Sequence, residues 1–178
     1  DSMSSIISST SRGQDWFSQV PSIFADRSLP ILWTNPLGMP IKQWYSDYSS
    51  YCVRTRIGEK FRQVGLRSST GKVDRRKMRS AFAPNFVHSL DAAAMMRTMV
   101  LAKDLGVQNV SCNHDSFASV AADSPALAEA TRKSFYELFS NDVLANLQAE
   151  LVRQLPYDAV LPDLPGYGDL DVSMVLKS

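Results

Sequence analysis

Cysteine is scarce in this 178-residue chain, and so is histidine, with two of each. Cys52 and Cys112 are too few for a disulfide framework, which points to a reducing compartment. His88 and His114, with those two scattered cysteines, lack the spacings of a zinc site. Glycine is also sparse, and Gly13, Gly38, Gly58 and Gly65 form no phosphate-binding fingerprint. No apolar run approaches the roughly 20 residues that a membrane-spanning helix needs. The opening DSMSSIISST has neither the basic start nor the apolar stretch of a secretory signal. The expected location is therefore cytoplasmic. An aspartate rather than a methionine at position 1 points to a processed product, a fragment or part of a longer protein.

Net charge is nearly absent as well, at +1, but that figure hides a segregation. From Arg54 to Arg79 there are ten basic residues and two acidic ones, so this segment carries +8 and the remainder −7. Binding phosphates requires a concentrated local field rather than a basic average, so the segment is a candidate nucleic-acid surface. A solvated charged loop is the plainer alternative.

Composition and periodicity give an α+β fold in three stretches, 1–51, 52–80 and 81–178. Residues 2–20 read as a helix with Ile6, Ile7, Trp16, Phe17 and Val20 along one side, ended by Pro21. An apolar strand at Ile31–Trp33 precedes a turn at Asn35-Pro36-Leu37-Gly38. Residues 41–51 read as a strand or an irregular connection. Residues 52–64 alternate in part and turn at Gly58-Glu59, which predicts a two-stranded ribbon with a basic exposed face. Such a ribbon fits a DNA major groove, where arginine donates two hydrogen bonds to guanine. Residues 68–80 read as a flexible charged return.

Past Ala81 the chain turns apolar. Pro84 marks the approach, Ser89 or Asp91 serves as a cap, and a helix runs from Ala92 to Leu105 with Gly106 as its stop. This places His88 and Asp91 near a helix start, where backbone N–H groups favour anions. A strand at 107–113, a turn at His114-Asp115 and a returning strand at 117–120 form a hairpin. Helices at 124–139 and 141–155 and an irregular tail follow. A carboxylate on a tight turn between apolar strands is held firmly, as a magnesium ligand in phosphoryl transfer must be. Aspartate is equally an ordinary turn residue. One carboxylate also cannot hold two metal ions.

Two linked motifs add to this reading. Ala83-Pro84-Asn85-Phe86-Val87-His88-Ser89-Leu90-Asp91 is followed 23 residues later by His114-Asp115-Ser116-Phe117. The pair resembles the single-subunit DNA-dependent RNA polymerases of bacteriophages and mitochondria. Gln14-Asp15-Trp16-Phe17, Trp33 with Asn35-Pro36-Leu37-Gly38-Met39-Pro40, and Gly168-Asp169-Leu170-Asp171-Val172 extend the likeness over nearly the whole chain. It resembles the last quarter of such an enzyme.

The resemblance implies a right-hand polymerase. Residues 1–51 would be distal fingers helix and connection, 52–80 the promoter-specificity ribbon, and 81–178 the C-terminal palm portion. It implies that Asp115 is the second of two palm aspartates binding catalytic magnesium (two Mg2+ ions in the complete enzyme), supported by His114 and Ser116. His88 would contact the RNA–DNA hybrid, and Arg54, Arg56, Lys60 and Arg62 would read promoter DNA. Nucleoside triphosphates would be the substrates. The other aspartate and the nucleotide-binding fingers helix would belong to an N-terminal portion preceding residue 1, without which no activity is expected. Ala94 stands where many members carry a second histidine. A family-A DNA polymerase palm is an alternative, although its turn usually reads His-Asp-Glu where this chain has Ser116. A non-catalytic nucleic-acid-binding module is the other.

Overall fold

The computed structural model describes residues 2–166 and 171–176, with side chains from residue 12 onward. Ile6 and Ile7 as apolar-face residues, and Gly168, Asp169 and Leu170 of the C-terminal motif, lie outside the described parts. Helices and three two-stranded antiparallel sheets alternate along the chain, an α+β organisation.

The first helix, α1 (Ser2–Asp26), does not end at Pro21 but carries it inside. An interior proline costs a helix about 3 kcal/mol through its missing N–H and its ring. Beyond it, Phe24 is fully buried and Ala25 nearly so, and such burial returns about 3 kcal/mol. Packing thus carries the helix one further turn. It stops where Ser28 adopts a positive φ of 54° and the Leu29 N–H returns to the Phe24 carbonyl at 2.9 Å.

Strands β1 (Ile31–Thr34) and β2 (Pro40–Gln43) pair across the expected turn. The Asn35 side-chain oxygen accepts from the Leu37 and Met39 N–H groups, and Gly38 takes φ of 85°. The ribbon is longer than its sequence indicates. Its strands β3 (Ser46–Ile57) and β4 (Lys60–Val73) pair along nearly their full length, so residues 68–73 belong to a strand and not to a mobile return.

The charged residues after Val73 open a helix, α2 (Arg75–Asp104), which runs 30 residues straight through Pro84. Its cap is Asp74, whose carboxylate accepts the Lys77 N–H at 2.9 Å, and not Ser89 or Asp91. Met78, Phe82, Phe86, Ser89 and Ala93 recur every three or four residues as its buried stripe. Anchors on both sides of Pro84 therefore hold the helix continuous. His88 and Asp91 consequently sit mid-helix, where N–H groups are spent on the preceding turn, and offer no anion-binding helix start.

Two apolar clusters follow. In the larger, Trp16, Val20 and Phe24 of α1, Ile31 and Trp33 of β1 and Phe82 and Phe86 of α2 meet Leu147 and Leu151. The last two belong to α4 (Val143–Gln154), which follows α3 (Ser124–Phe139). Gln154 and Glu150 of α4 satisfy backbone groups of Leu32 and Thr34 on the free edge of β1. The irregular tail straps this layer, with Leu161 buried and the Pro162 carbonyl accepting from Trp16 Nε1 at 3.1 Å. In the smaller cluster, Leu101 and Ala102 of α2 pack with Val107 and with Leu127 and Ala130 of α3.

Candidate functional site

The hairpin formed by β5 (Val110–Asn113) and β6 (Ser116–Ser119) stands on that smaller cluster. Its register pairs Cys112 with Phe117 and Asn113 with Ser116, leaving His114 and Asp115 as a two-residue turn. Successive side chains alternate faces, so Val110, Cys112 and Phe117 share one face while Ser111, Asn113, Ser116 and Ala118 share the other. Val110 and Phe117 pack on Leu101, Ala102 and Leu127, whereas the second face is exposed throughout. His114 holds a φ of 55° at the first turn position, the sign that the strand twist of a tight hairpin demands. A non-glycine residue there carries local strain of about 1–2 kcal/mol, which the packed base of the hairpin sustains.

Asp115 therefore sits at an exposed tip whose root, half-buried Val110 and Phe117, packs on a buried cluster. Among the described residues, the side chains of Asp115, His114, Ser116 and His88 have no hydrogen-bond or ion-pair partner within the chain, and all four residues are exposed. Asp115 is offered to a ligand as a single carboxylate: among the described residues no three histidine, cysteine, aspartate or glutamate side chains gather as a metal set. The residues present fit one ligand position of a shared metal centre and not a complete one.

His88 projects from the exposed side of α2, and the residues around it show how the long motif divides its work. Asn85 Nδ2 donates to Gln43 Oε1 at 2.9 Å and to the Tyr45 hydroxyl at 3.1 Å. Phe86 enters the core. The Ser89 hydroxyl accepts from Trp33 Nε1 at 3.1 Å and donates to the Phe86 carbonyl at 2.7 Å. Asn85, Phe86 and Ser89 thus fasten the helix to the β1–β2 layer, leaving Val87 and His88 facing out. Sequence reading missed the partners Trp33, Gln43 and Tyr45 because nothing in one-dimensional spacing joins them to residue 88. One rod, α2, fixes His88 in its middle and supports the Asp115 hairpin near its end; no hydrogen bond or ion pair joins the two.

The ribbon corrects one expectation. Arg54 pairs with Gln63, Arg56 with Phe61, Thr55 with Arg62 and Ile57 with Lys60. Paired residues share a face, so Arg54 and Arg56 lie on one face and Lys60 and Arg62 on the other. There is no single basic face holding all four. The first face also carries Gln63 and Arg67, with the Arg54 guanidinium 5.0 Å from the centre of the Phe61 ring. The second carries Tyr51, Val53, Val64 and Leu66. Twelve extended residues reach roughly 40 Å, with both faces open except near the base. There the Asp74 N–H donates to the Tyr45 carbonyl at 2.9 Å.

Comparison with known proteins agrees with the linked motifs. A family model described as DNA-dependent RNA polymerase matches residues 1–171. The chain is 37% identical over 163 residues to "DNA-directed RNA polymerase 2, chloroplastic/mitochondrial" of Arabidopsis thaliana, covering 92% of this chain and 16% of that protein. It is 35% identical over 165 residues to "DNA-directed RNA polymerase 1, mitochondrial" of the same plant, covering 93% and 16% respectively. It is also 35% identical to "DNA-directed RNA polymerase 1A" of Nicotiana tabacum, over 88% of this chain and 97% of that protein. The chain spans about a sixth of the length of the two Arabidopsis relatives. None of these matches favours a DNA polymerase. The chain belongs to the DNA-dependent RNA polymerase family.

Proposed function

We propose that this chain is the part of a single-subunit RNA polymerase that supplies one catalytic carboxylate, a contact to the RNA–DNA hybrid and the promoter-reading ribbon. The observation that carries the proposal is Asp115 at the exposed tip of a hairpin that packs on a buried cluster, to which the helix presenting His88 contributes Leu101 and Ala102. In a right-hand polymerase this unit is part of the palm.

Asp115 would hold a divalent cation together with a second carboxylate from an upstream portion of the enzyme. Magnesium, when bound, lowers the barrier to attack by the RNA 3′-hydroxyl and neutralises charge on the departing pyrophosphate. His114 fixes the turn that aims Asp115, and Ser116 closes it by pairing with Asn113. His88, unpartnered and exposed, is free to donate a hydrogen bond to the hybrid backbone.

On the ribbon, we assign base contacts to the face of Arg54 and Arg56, and flanking phosphate contacts to Lys60 and Arg62 near its tip. Among the described residues no helix is long and apolar enough to cross a membrane. Two relatives have mitochondrial or chloroplastic names, and we carry the mitochondrial address over in preference to the cytoplasm.

The test is to recover the chain, tagged, from its source with everything bound to it, and to supply a primed DNA template. Extension with ribonucleotides and not with deoxyribonucleotides is expected. Extension only with deoxyribonucleotides, or DNA binding without extension, would overturn the proposal.

A further inference from the structure

The most concentrated run of cations in the chain is not on the ribbon. It lies at the start of α2, where Arg75, Arg76, Lys77 and Arg79 fall within five residues. Their sequence reads as a solvated return, but the structure folds them into a helical turn against α1. Arg75, Arg76, Arg79 and Ser80 line one wall of an open cleft of about 470 Å³, and Ser18, Ser22 and Asp26 of α1 line the other.

The internal pairing leaves this charge largely uncompensated. Asp26 is the single acidic residue of the lining and pairs with Arg75 at 3.0 Å, both side chains being well exposed. Arg79 Nε donates to the Ser18 hydroxyl, a neutral acceptor, at 2.5 Å. That bond holds the guanidinium across the cleft without cancelling its charge. Asp74, the nearest other carboxylate in sequence, is occupied as the cap of α2. Arg76 has no hydrogen-bond or ion-pair partner among the described residues. Three guanidiniums, only one of them paired with a carboxylate, suit an occupant carrying closely spaced negative charges and many acceptor oxygens. Guanidinium forks match phosphate oxygens in geometry as well as charge.

We infer that this cleft between α1 and α2 binds the phosphodiester backbone of duplex DNA, as a second nucleic-acid contact distinct from the ribbon. The inference rests on the reading of the chain as a nucleic-acid-engaging polymerase part. The ribbon supplies the geometric reason for committing to DNA. Its base is tied to the start of α2 through Asp74 and Tyr45, which sets Arg75 and Arg76 of the cleft directly beside the root of the ribbon. Backbone contacts position without carrying sequence information. The cleft should therefore set affinity and register, and leave the choice of bases to the ribbon.

The test uses the 178-residue chain and two fluorescently labelled DNA duplexes of about 20 base pairs and unrelated sequence, titrated by anisotropy over a range of salt. Each phosphate contact contributes about 0.9 to the slope of log affinity against log salt. The triple variant R75Q/R76Q/R79Q should flatten that slope by about 2–3 and weaken binding at least tenfold at low salt, by the same factor on both duplexes. R76Q alone should flatten it by about 0.9. Arg76 has no internal partner to lose, so this variant decides the matter if the triple variant melts early or fails to fold. Wild-type slopes in folded triple and single variants, or no duplex binding by the wild-type chain, would overturn the inference.

R54Q/R56Q, measured alongside, separates the two readings. If it leaves the preference between duplexes unchanged while the triple variant flattens the slope, the ribbon assignment fails and the cleft stands. If it alters preference while the cleft variants do nothing, the cleft fails and the ribbon stands.

Discussion

At the scale of single residues, this chain separates side chains that hold the fold from those that face outward for use. Ser89 and His88 are neighbours in one motif, yet Ser89 is buried and doubly bonded while His88 has no partner. The same division holds at the hairpin, where Phe117 is the root and Asp115 the tip. Sequence singled out the outward residues through the two linked motifs and their family resemblance, since a carboxylate in a tight turn is by itself an ordinary turn residue. It missed the inward ones, whose partners lie 40 to 56 positions away. Arg97 and Glu137 show a charged pair used structurally: Nε and Oε2 approach to 2.6 Å between α2 and α3. The hydrogen bond from Arg97 holds the Glu137 carboxyl below its usual range, against the opposing effect of desolvation. A depressed folded-state value adds stability above the unfolded carboxyl range near pH 4, and that stability disappears as pH falls through the folded value. Each side chain is a third exposed, so solvent screening limits the pair to about 1 kcal/mol or less. Glu137→Gln should therefore melt about 2–4 °C below wild type at most at pH 7. The gap should close below about pH 4, as calorimetry across that range would show. A gap that persists at pH 3 would assign the loss to packing instead.

At the scale of elements, the ribbon and α2 show which sequence signals survive folding. Gly58 was legible as the ribbon turn because its φ of 63° suits glycine. The second half of β4 was not legible, since Ser68, Ser69, Thr70 and Gly71 have loop composition. They are strand because Ser68 and Ser69 pair with β3 and, after a bulge, pairing resumes at Val73. Pro21 and Pro84 misled for a related reason: each is a local breaker inside a helix that is packed into the core on both sides of it. Alternation placed Arg54 and Arg56 together correctly, but placing Lys60 and Arg62 required the register across the turn. That register carries a prediction. Arg54→Gln with Arg56→Gln should relax discrimination among promoter bases by about 1–3 kcal/mol for each bidentate arginine–guanine pair removed. Lys60→Gln with Arg62→Gln should lower affinity on all sequences alike. Binding to a panel of single-base promoter variants distinguishes these outcomes, and identical behaviour of the two double variants would refute the division of faces.

At the scale of the whole molecule, two apolar clusters on one 30-residue helix keep three exposed features in fixed relation: the ribbon, His88 and the Asp115 hairpin. In the proposed function, that relation would let a metal ligand, a hybrid contact and a promoter contact act on one nucleic-acid path. The α+β organisation and the hairpin were readable from periodicity and turns, whereas the continuity of α2, on which the common frame depends, was concealed by Pro84. The chain covers about a sixth of its long relatives, and Asp115 is half of a shared site in the proposed mechanism. The most direct test is primer extension by the complex recovered with this chain, comparing wild type with Asp115→Asn. Loss of a metal ligand removes several kcal/mol of charge stabilisation, and each 1.36 kcal/mol is about tenfold in rate. Extension should fall by about a thousandfold or more, with DNA affinity within about twofold of wild type. Extension at the wild-type rate by the Asp115→Asn complex would contradict a metal-binding role for this carboxylate.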